Sequence, residues 1–320
     1  MKKVIWMFSG QGSQYYQMGK DLYEKEPVFR ECLEKGDRLA RPLINESLID
    51  IIYRPRKDRF EPFRRILFTH PAILLVEYAL AQVLWRRGLR PDFLLGYSLG
   101  ELTAMVVAGA VAFEDALTMA IKQAELLEYC SADGGMVAIL ESPELMGQHP
   151  EIFAGCEVAA YNAPRNFIVS GPSKALAELL LFLKGKGITA LDLPVTHPFH
   201  SRWMNEFEAP ARLAAEKLPV SPPGIPLISA EKGGLVENCS ALHLWEATRN
   251  CVDFSRTICN LEASGRHVYV DLGPSGGMAT AVKYNLPPGS ESEFLSVITP
   301  FGQEVKHLER VMKKLGGGTG

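Results

Sequence analysis

The sequence has no C-x-x-C pair, no block of basic residues, and no apolar run that approaches the length of a membrane span. Each absence removes a class of protein. Its six cysteines (Cys32, Cys130, Cys156, Cys239, Cys251 and Cys259) are scattered, which reads as reduced cytosolic thiols and not as a disulfide framework or a zinc site. A net charge of −3 without a cationic cluster argues against nucleic acid as a partner, and the lack of a long apolar run argues against a membrane. Lys2-Lys3 before Val4 to Phe8 begins like a secretory leader, but Ser9-Gly10 ends the apolar run at once, so it reads as a first strand. The loop Ser9-Gly10-Gln11-Gly12-Ser13-Gln14 lacks the Lys-Ser/Thr ending of a P-loop and the full G-x-G-x-x-G spacing, which disfavours a nucleotide cofactor. What remains is a chain of 320 residues, 47% hydrophobic and 22% charged. That composition predicts a cytoplasmic globular protein with a sizeable core.

Within it, Leu94-Leu95-Gly96-Tyr97-Ser98-Leu99-Gly100-Glu101 sets G-x-S-x-G between an apolar run and a helical pattern. That is the arrangement of a nucleophile elbow, where a serine is raised on a sharp strand-to-helix turn. An idle serine on a Gly-rich turn would give the same five residues, so the reading needs a base within reach. Seven histidines are available. His149, His243 and His307 sit in polar surroundings and read as surface residues, and His267 opens a strand and reads as structural. His197-Pro198-Phe199-His200-Ser201 holds two more where the chain leaves a small-domain pattern, and clefts form at such junctions.

Periodicity and punctuation give the rest of the frame. One helix is expected from about 18 to 40, then an irregular charged stretch from 42 to 65. Another starts at Thr69-His70-Pro71 with proline in its first turn, and a further one runs from Phe113 to Tyr129. Residues 133–194 read β-α-β-β-α-β, the split βαβ of a ferredoxin-like unit. Residues 202–217 and 246–264 read as helical, and 267–272 as a strand. The expected organisation is a discontinuous main domain (1–132 and 195–315), an insert (133–194) and a flexible tail (316–320).

Taken together, these motifs resemble the malonyl-CoA:acyl carrier protein transacylases and the acyltransferases of polyketide synthases. The matching residues are Gly10-Gln11-Gly12-Ser13-Gln14, Gly96 to Glu101, Tyr161-Asn162-Ala163-Pro164, Val169-Ser170-Gly171-Pro172, His197 to Ser201, Asn250-Cys251-Val252-Asp253-Phe254 and Asp271-Leu272-Gly273-Pro274. The resemblance implies an α/β-hydrolase-like large domain with a ferredoxin-like insert. It implies Ser98 as nucleophile, His200 as general base and then acid, and the backbone N–H groups of Gln11 and Leu99 as oxyanion donors. A backbone carbonyl from the segment before Asn250 would orient the histidine in place of an acid, and Asn162 would line the pocket. No metal or cofactor is implied; CoA or phosphopantetheine thioesters would be substrates and an acyl carrier protein the partner.

Three residues depart from that pattern. Gln123 stands where malonyl-using members carry an arginine for the free carboxylate, and Lys122 points about 100° away around the helix. Tyr97 replaces the usual histidine before the nucleophile. His70 stands where glutamine is common, and Phe199 resembles the small-acyl version of its motif. A neutral Gln123 predicts small non-carboxylated acyl groups such as acetyl. Freestanding relatives without the arginine include hydrolases that clear acyl groups from carrier proteins, so a trans-acting acyl hydrolase is the leading expectation. Transfer of acetyl or malonyl from CoA to a carrier protein is the alternative, and a non-enzymatic docking module a third.

Overall fold

The structure is a computed structural model and describes residues 2–129 and 133–316. β1 (Lys3–Phe8) is followed by α1 (Lys20–Lys25) and α2 (Pro27–Ile44), where one helix was expected. Pro27 makes the break. It cannot donate a helical hydrogen bond, and it holds Glu26 in extended backbone (φ −110°, ψ 103°). The stretch expected to be irregular carries α3 (Leu48–Ile52), with Leu48, Ile51 and Ile52 buried and Ser47 Oγ capping Asp50 N at 3.1 Å.

α4 (Ile66–Arg86) starts before Thr69, so Pro71 lies inside the helix and not in its first turn. Residues on all sides of this helix are buried, from Ile66 to Leu84. Packing therefore holds the helix although Pro71 offers no N–H to the Leu67 carbonyl. By length and composition α4 could cross a membrane (mean hydropathy 1.5 over its most apolar window), which corrects the expectation that no stretch is long enough. With 83% of that window buried, it is a core helix.

β2 (Phe93–Gly96), α5 (Gly100–Val107) and α6 (Phe113–Tyr129) follow. Then come β3 (Gly135–Ile139), α7 (Leu145–Gln148), α8 (Pro150–Phe153), β4 (Glu157–Ala163), β5 (Asn166–Gly171), α9 (Ser173–Gly185) and β6 (Ala190–Asp192). A 3₁₀ segment (Arg202–Phe207) leads into α10 (Glu208–Ala215), where one helix was expected. β7 (Leu227–Ser229), β8 (Gly234–Leu235), α11 (Leu242–Arg249), β9 (Val252–Asp253) and α12 (Phe254–Ser264) come next. β10 (His267–Asp271), α13 (Gly277–Asn285), β11 (Glu293–Ser296) and α14 (Glu304–Gly316) complete the described chain. Gly316, the first residue of the expected tail, lies in α14, and the rest of that tail lies outside the described residues.

The large sheet has the order β11-β10-β1-β2-β7-β8, parallel throughout except for β8. Its central strands are apolar on both faces, as helix-covered parallel strands must be. The small sheet has the order β6-β3-β5-β4, antiparallel, which is the ferredoxin-like arrangement. β9 adds to its edge beside β4, pairing Ala160 with Val252 and Tyr161 with Asp253. The chain is thus an α/β protein with two sheets. Loops leaving the carboxyl ends of β1 and β2 meet side by side, since Phe8 pairs with Gly96. Ligands bind outside the carboxyl ends of strands in such sheets.

Candidate active site

Ser98 sits where β2 turns into α5, with left-handed backbone at φ 56°. A non-glycine residue there costs on the order of 1–3 kcal/mol, and the surroundings must enforce it. The flanking glycines show how. A Cβ on Gly96 would lie 2.5 Å from Glu101 Cα, and one on Gly100 would lie 2.1 Å from the Phe8 carbonyl oxygen. Backbone fills both places, so only glycine lets the turn close against β1.

His200 arrives from a part of the chain 102 residues away and places Nε2 2.9 Å from Ser98 Oγ. Its Nδ1 lies 2.8 Å from the Asn250 carbonyl oxygen. A carbonyl only accepts, so Nδ1 carries the proton and Nε2 turns its lone pair to the serine hydroxyl. The backbone N–H of His200 donates to the Thr248 carbonyl (3.1 Å), so the same segment holds both backbone and ring. The orienting carbonyl belongs to Asn250 itself and not to a residue before it. Burial pushes the His200 pKa down to about 4, against the opposing pull of that carbonyl. The imidazole is therefore neutral at neutral pH.

The backbone N–H groups of Gln11 and Leu99 have no acceptor among the described residues. The loop that carries Gln11 is pinned from beneath. Glu77 Oε1 accepts from the Ser9 backbone N–H (2.6 Å) and hydroxyl (2.8 Å). Gln14 Nε2 donates to the carbonyls of Phe63 (3.0 Å) and Pro194 (2.8 Å). Burial pushes Glu77 up to about 8, so it sits protonated at neutral pH with its weight on hydrogen bonds.

Beside Ser98 lies a small cavity lined by Gln11, His70, Gln123, Phe199 and Thr248, with Leu99, Leu102 and Leu244 as apolar wall. Gln123, His70 and Phe199 thus share a cavity with the serine. His70 Nδ1 accepts from Gln11 Nε2 (2.6 Å), which leaves its proton on Nε2. Burial, with His197 nearby, pushes its pKa down to about 3. No charged group lines this cavity among the described residues. Lys122 is exposed and lines a separate surface groove between α6 and α10. Behind Gln123 a second small cavity shares His70, Gln123 and Thr248 with the first and is walled by Leu126, Met204, Phe207 and Trp245.

Tyr97 and Asn162 lie elsewhere. Tyr97 donates to Asn162 Oδ1 at 3.0 Å, and both line a wider cleft on the other side of the Gly10–Ser13 loop. His197 is buried with Nε2 on the Leu127 carbonyl at 2.9 Å, away from the serine. His243, read as a surface residue, is buried and places Nε2 3.1 Å from Glu101 Oε2. Its polar sequence neighbours misled, because α11 packs one face against α5 and the histidine is on that face. Glu77 and Glu101 were the parts missed. Buried acids inside apolar helices, as in α4 and α5, were the one available signal.

A serine on an elbow, a neutral imidazole on its hydroxyl, a carbonyl behind the imidazole and two free N–H donors define a serine acyl-transfer enzyme. The family model described as "Acyl transferase domain" matches residues 5–315. The chain is 38% identical to the polyketide biosynthesis acyltransferase homolog PksD of Bacillus subtilis over 308 residues, 96% of this chain and 95% of that one. It is 35% identical to the homolog BaeD of Bacillus velezensis, with the same coverage. Among solved structures, the acyltransferase domain from the second module of the salinomycin polyketide synthase superposes with a TM-score of 0.83 at 30% identity, covering 98% of this chain and 72% of that one. The malonyl CoA-acyl carrier protein transacylase of Clostridium perfringens superposes with a TM-score of 0.80 at 25% identity, covering 98% of each. The chain belongs to the acyl transferase domain family. It is an acyltransferase-fold enzyme acting on acyl thioesters.

Proposed function

We propose that this chain is a serine-dependent acyl hydrolase that removes small non-carboxylated acyl groups, acetyl above all, from carrier-protein thioesters during polyketide biosynthesis. The observation that carries the reading is the uncharged cavity around Gln123 beside Ser98. Resemblance to relatives named for polyketide biosynthesis over nearly the whole chain supports the setting. In the proposed reaction, His200 Nε2 takes the Ser98 proton as Oγ attacks the thioester carbonyl. The carbonyl oxygen becomes an oxyanion facing the N–H groups of Gln11 and Leu99. Collapse breaks the C–S bond, and the imidazolium returns its proton to the leaving thiolate. Water then attacks acyl-Ser98 with His200 again as base; the free acid leaves and Ser98 recovers its proton.

In this reading the thiol arm lies in the cleft beside Tyr97 and Asn162, and the acyl group lies in the cavity of Gln123, His70 and Phe199. The segment 133–194 acts as an inserted subdomain on a discontinuous main domain formed by 1–132 and 195–315. Its sheet shares an edge with β9, which ties it to the chain that carries the His200-orienting carbonyl.

The test offers purified protein acetyl- and malonyl-carrier protein, each with and without free CoA. Fast release of free acetate that CoA does not divert supports hydrolysis. Malonyl transfer between carrier and CoA with little hydrolysis sinks the reading in favour of a transacylase.

A further inference from the structure

We propose that Glu231, His243 and Glu246 form a divalent transition-metal site of the zinc type behind the nucleophile helix. His243 and Glu246 lie one turn apart on α11, and Glu231 lies in the turn between β7 and β8. One ligand atom from each lies within 4.8 Å of the other two. Bonds of about 2.1 Å in a tetrahedral shell set ligand atoms about 3.4 Å apart, so the site closes with side-chain shifts of about 1 Å. One imidazole nitrogen and two carboxylates, with a fourth position left for water, suit zinc and its first-row neighbours.

The hydrogen bonding points to an ion. The His243 side chain is 3% exposed, and its Nδ1 has no hydrogen-bond partner among the described residues. Its other nitrogen, Nε2, faces the buried Glu101 carboxylate at 3.1 Å. That is how a metal-ligating histidine is held: the proton goes to the outer carboxylate and the free lone pair turns to the metal. Here the lone pair of Nδ1 meets Glu246 Oε2 at 4.0 Å. Two acceptors facing one another need a cation or a proton between them. Glu231 repeats the pattern. Its Oε1 accepts from Asn250 Nδ2 at 2.8 Å, while its Oε2 is buried without a hydrogen-bond partner.

One cation already competes. Lys232 Nζ lies 2.8 Å from Glu246 Oε2 and 3.9 Å from Glu231 Oε2. Its side chain is 39% exposed, and two acids, Glu231 and Glu246, share it. An ammonium offers only donors and satisfies the outer edge of the cluster. An ion displaces it to solvent and takes up both orphaned atoms. The site also bears on the reaction centre, because the Asn250 that grips Glu231 supplies the carbonyl behind His200.

The test uses the full chain, stripped with EDTA and titrated with Co²⁺ followed by optical absorption, then with Zn²⁺ followed by thermal melting. One equivalent of Co²⁺ is expected to give visible d–d bands without a thiolate charge-transfer band, and Zn²⁺ to raise the melting temperature. Glu246→Gln is expected to weaken Co²⁺ binding at least about tenfold while melting like the wild type in EDTA, since that side chain is 35% exposed. Lys232→Gln, which removes the competitor, is expected to bind about tenfold more tightly. No saturable Co²⁺ spectrum in either the wild type or Lys232→Gln overturns the proposal. A thiolate band, or unchanged affinity in Glu246→Gln, overturns it as well, by placing the ion elsewhere.

Discussion

Replacing Gln123 with arginine tests the reading of the acyl pocket most directly. Gln123 shares the small cavity with Ser98, and His70 in the same cavity is held uncharged by a pKa pushed down to about 3. A malonyl group on Ser98 would place its carboxylate there with no cation to meet it. Leaving a buried carboxylate unpaired costs roughly 3–5 kcal/mol, which is on the order of a hundred- to several-thousand-fold in rate. The wild type is therefore expected to acetylate at least about a hundred times faster than it malonylates. Arginine at 123 would supply a bidentate, charge-assisted partner. The expected result is a reversal, with malonylation of Ser98 rising by about the factor the wild type loses. The assay is the rate of acyl-Ser98 formation by intact mass, with acetyl- and malonyl-CoA in equal competition. Two outcomes would falsify the reasoning: wild-type malonylation within about tenfold of acetylation, or a folded Gln123→Arg with an unchanged ratio.

Three further expectations follow from the geometry. His200 must be unprotonated to accept the Ser98 proton, so activity is present above its pKa and lost below it. With that pKa pushed from 6.5 down to about 4, the acylation rate should hold to about pH 5 and fall about tenfold per unit below 4; an acid limb centred at 6.5 would contradict the burial argument. Gly100→Ala puts a Cβ 2.1 Å from the Phe8 oxygen and 2.4 Å from its carbon, so it should cost more than about 3 kcal/mol in urea unfolding. Gly147→Ala, with nothing within 4 Å, is the control and should be near neutral. Glu77 is pushed from 4.5 up to about 8 by burial. The unfolded chain therefore releases its proton above 4.5 while the folded one keeps it, and stability is lost as pH rises from 4.5 to 8. Glu77→Gln should remove that loss, gaining on the wild type by up to about 4 kcal/mol at pH 8 and little at pH 5; equal differences at the two pH values would refute it.

Much of the candidate site was legible before any coordinates. The elbow at Ser98 and the loop at Gln11 are local, since each follows from a strand, a turn and the placement of glycine. The placement of Gln123 rested on the family resemblance, carried onto a helix expected from about Phe113 to Tyr129, where the structure has α6. Boundaries failed where packing overrides propensity. α4 starts early and runs through Pro71 because its surroundings bury it on every side, and β9 is a strand because β4 offers it an edge. His243 was misplaced for the same reason: its burial depends on α11 meeting α5, not on its neighbours in sequence.

The sequence by itself determined the chemistry available: a serine that steric necessity raises on its turn, two histidines in one short motif, and a neutral residue one position along the helix from a lysine. The tertiary structure decided how those parts are used. It chose His200 over His197 by setting one Nε2 2.9 Å from Ser98 and the other on the Leu127 carbonyl. It put the Asn250 carbonyl behind the chosen imidazole, and it set Gln123 facing the serine while Lys122 faces a different groove. Hydrogen bonds between residues 50 to 102 positions apart leave no local trace. They exist only once the core brings the strand ends together, and the short range of these contacts then fixes which nitrogen, which carbonyl and which side chain take part.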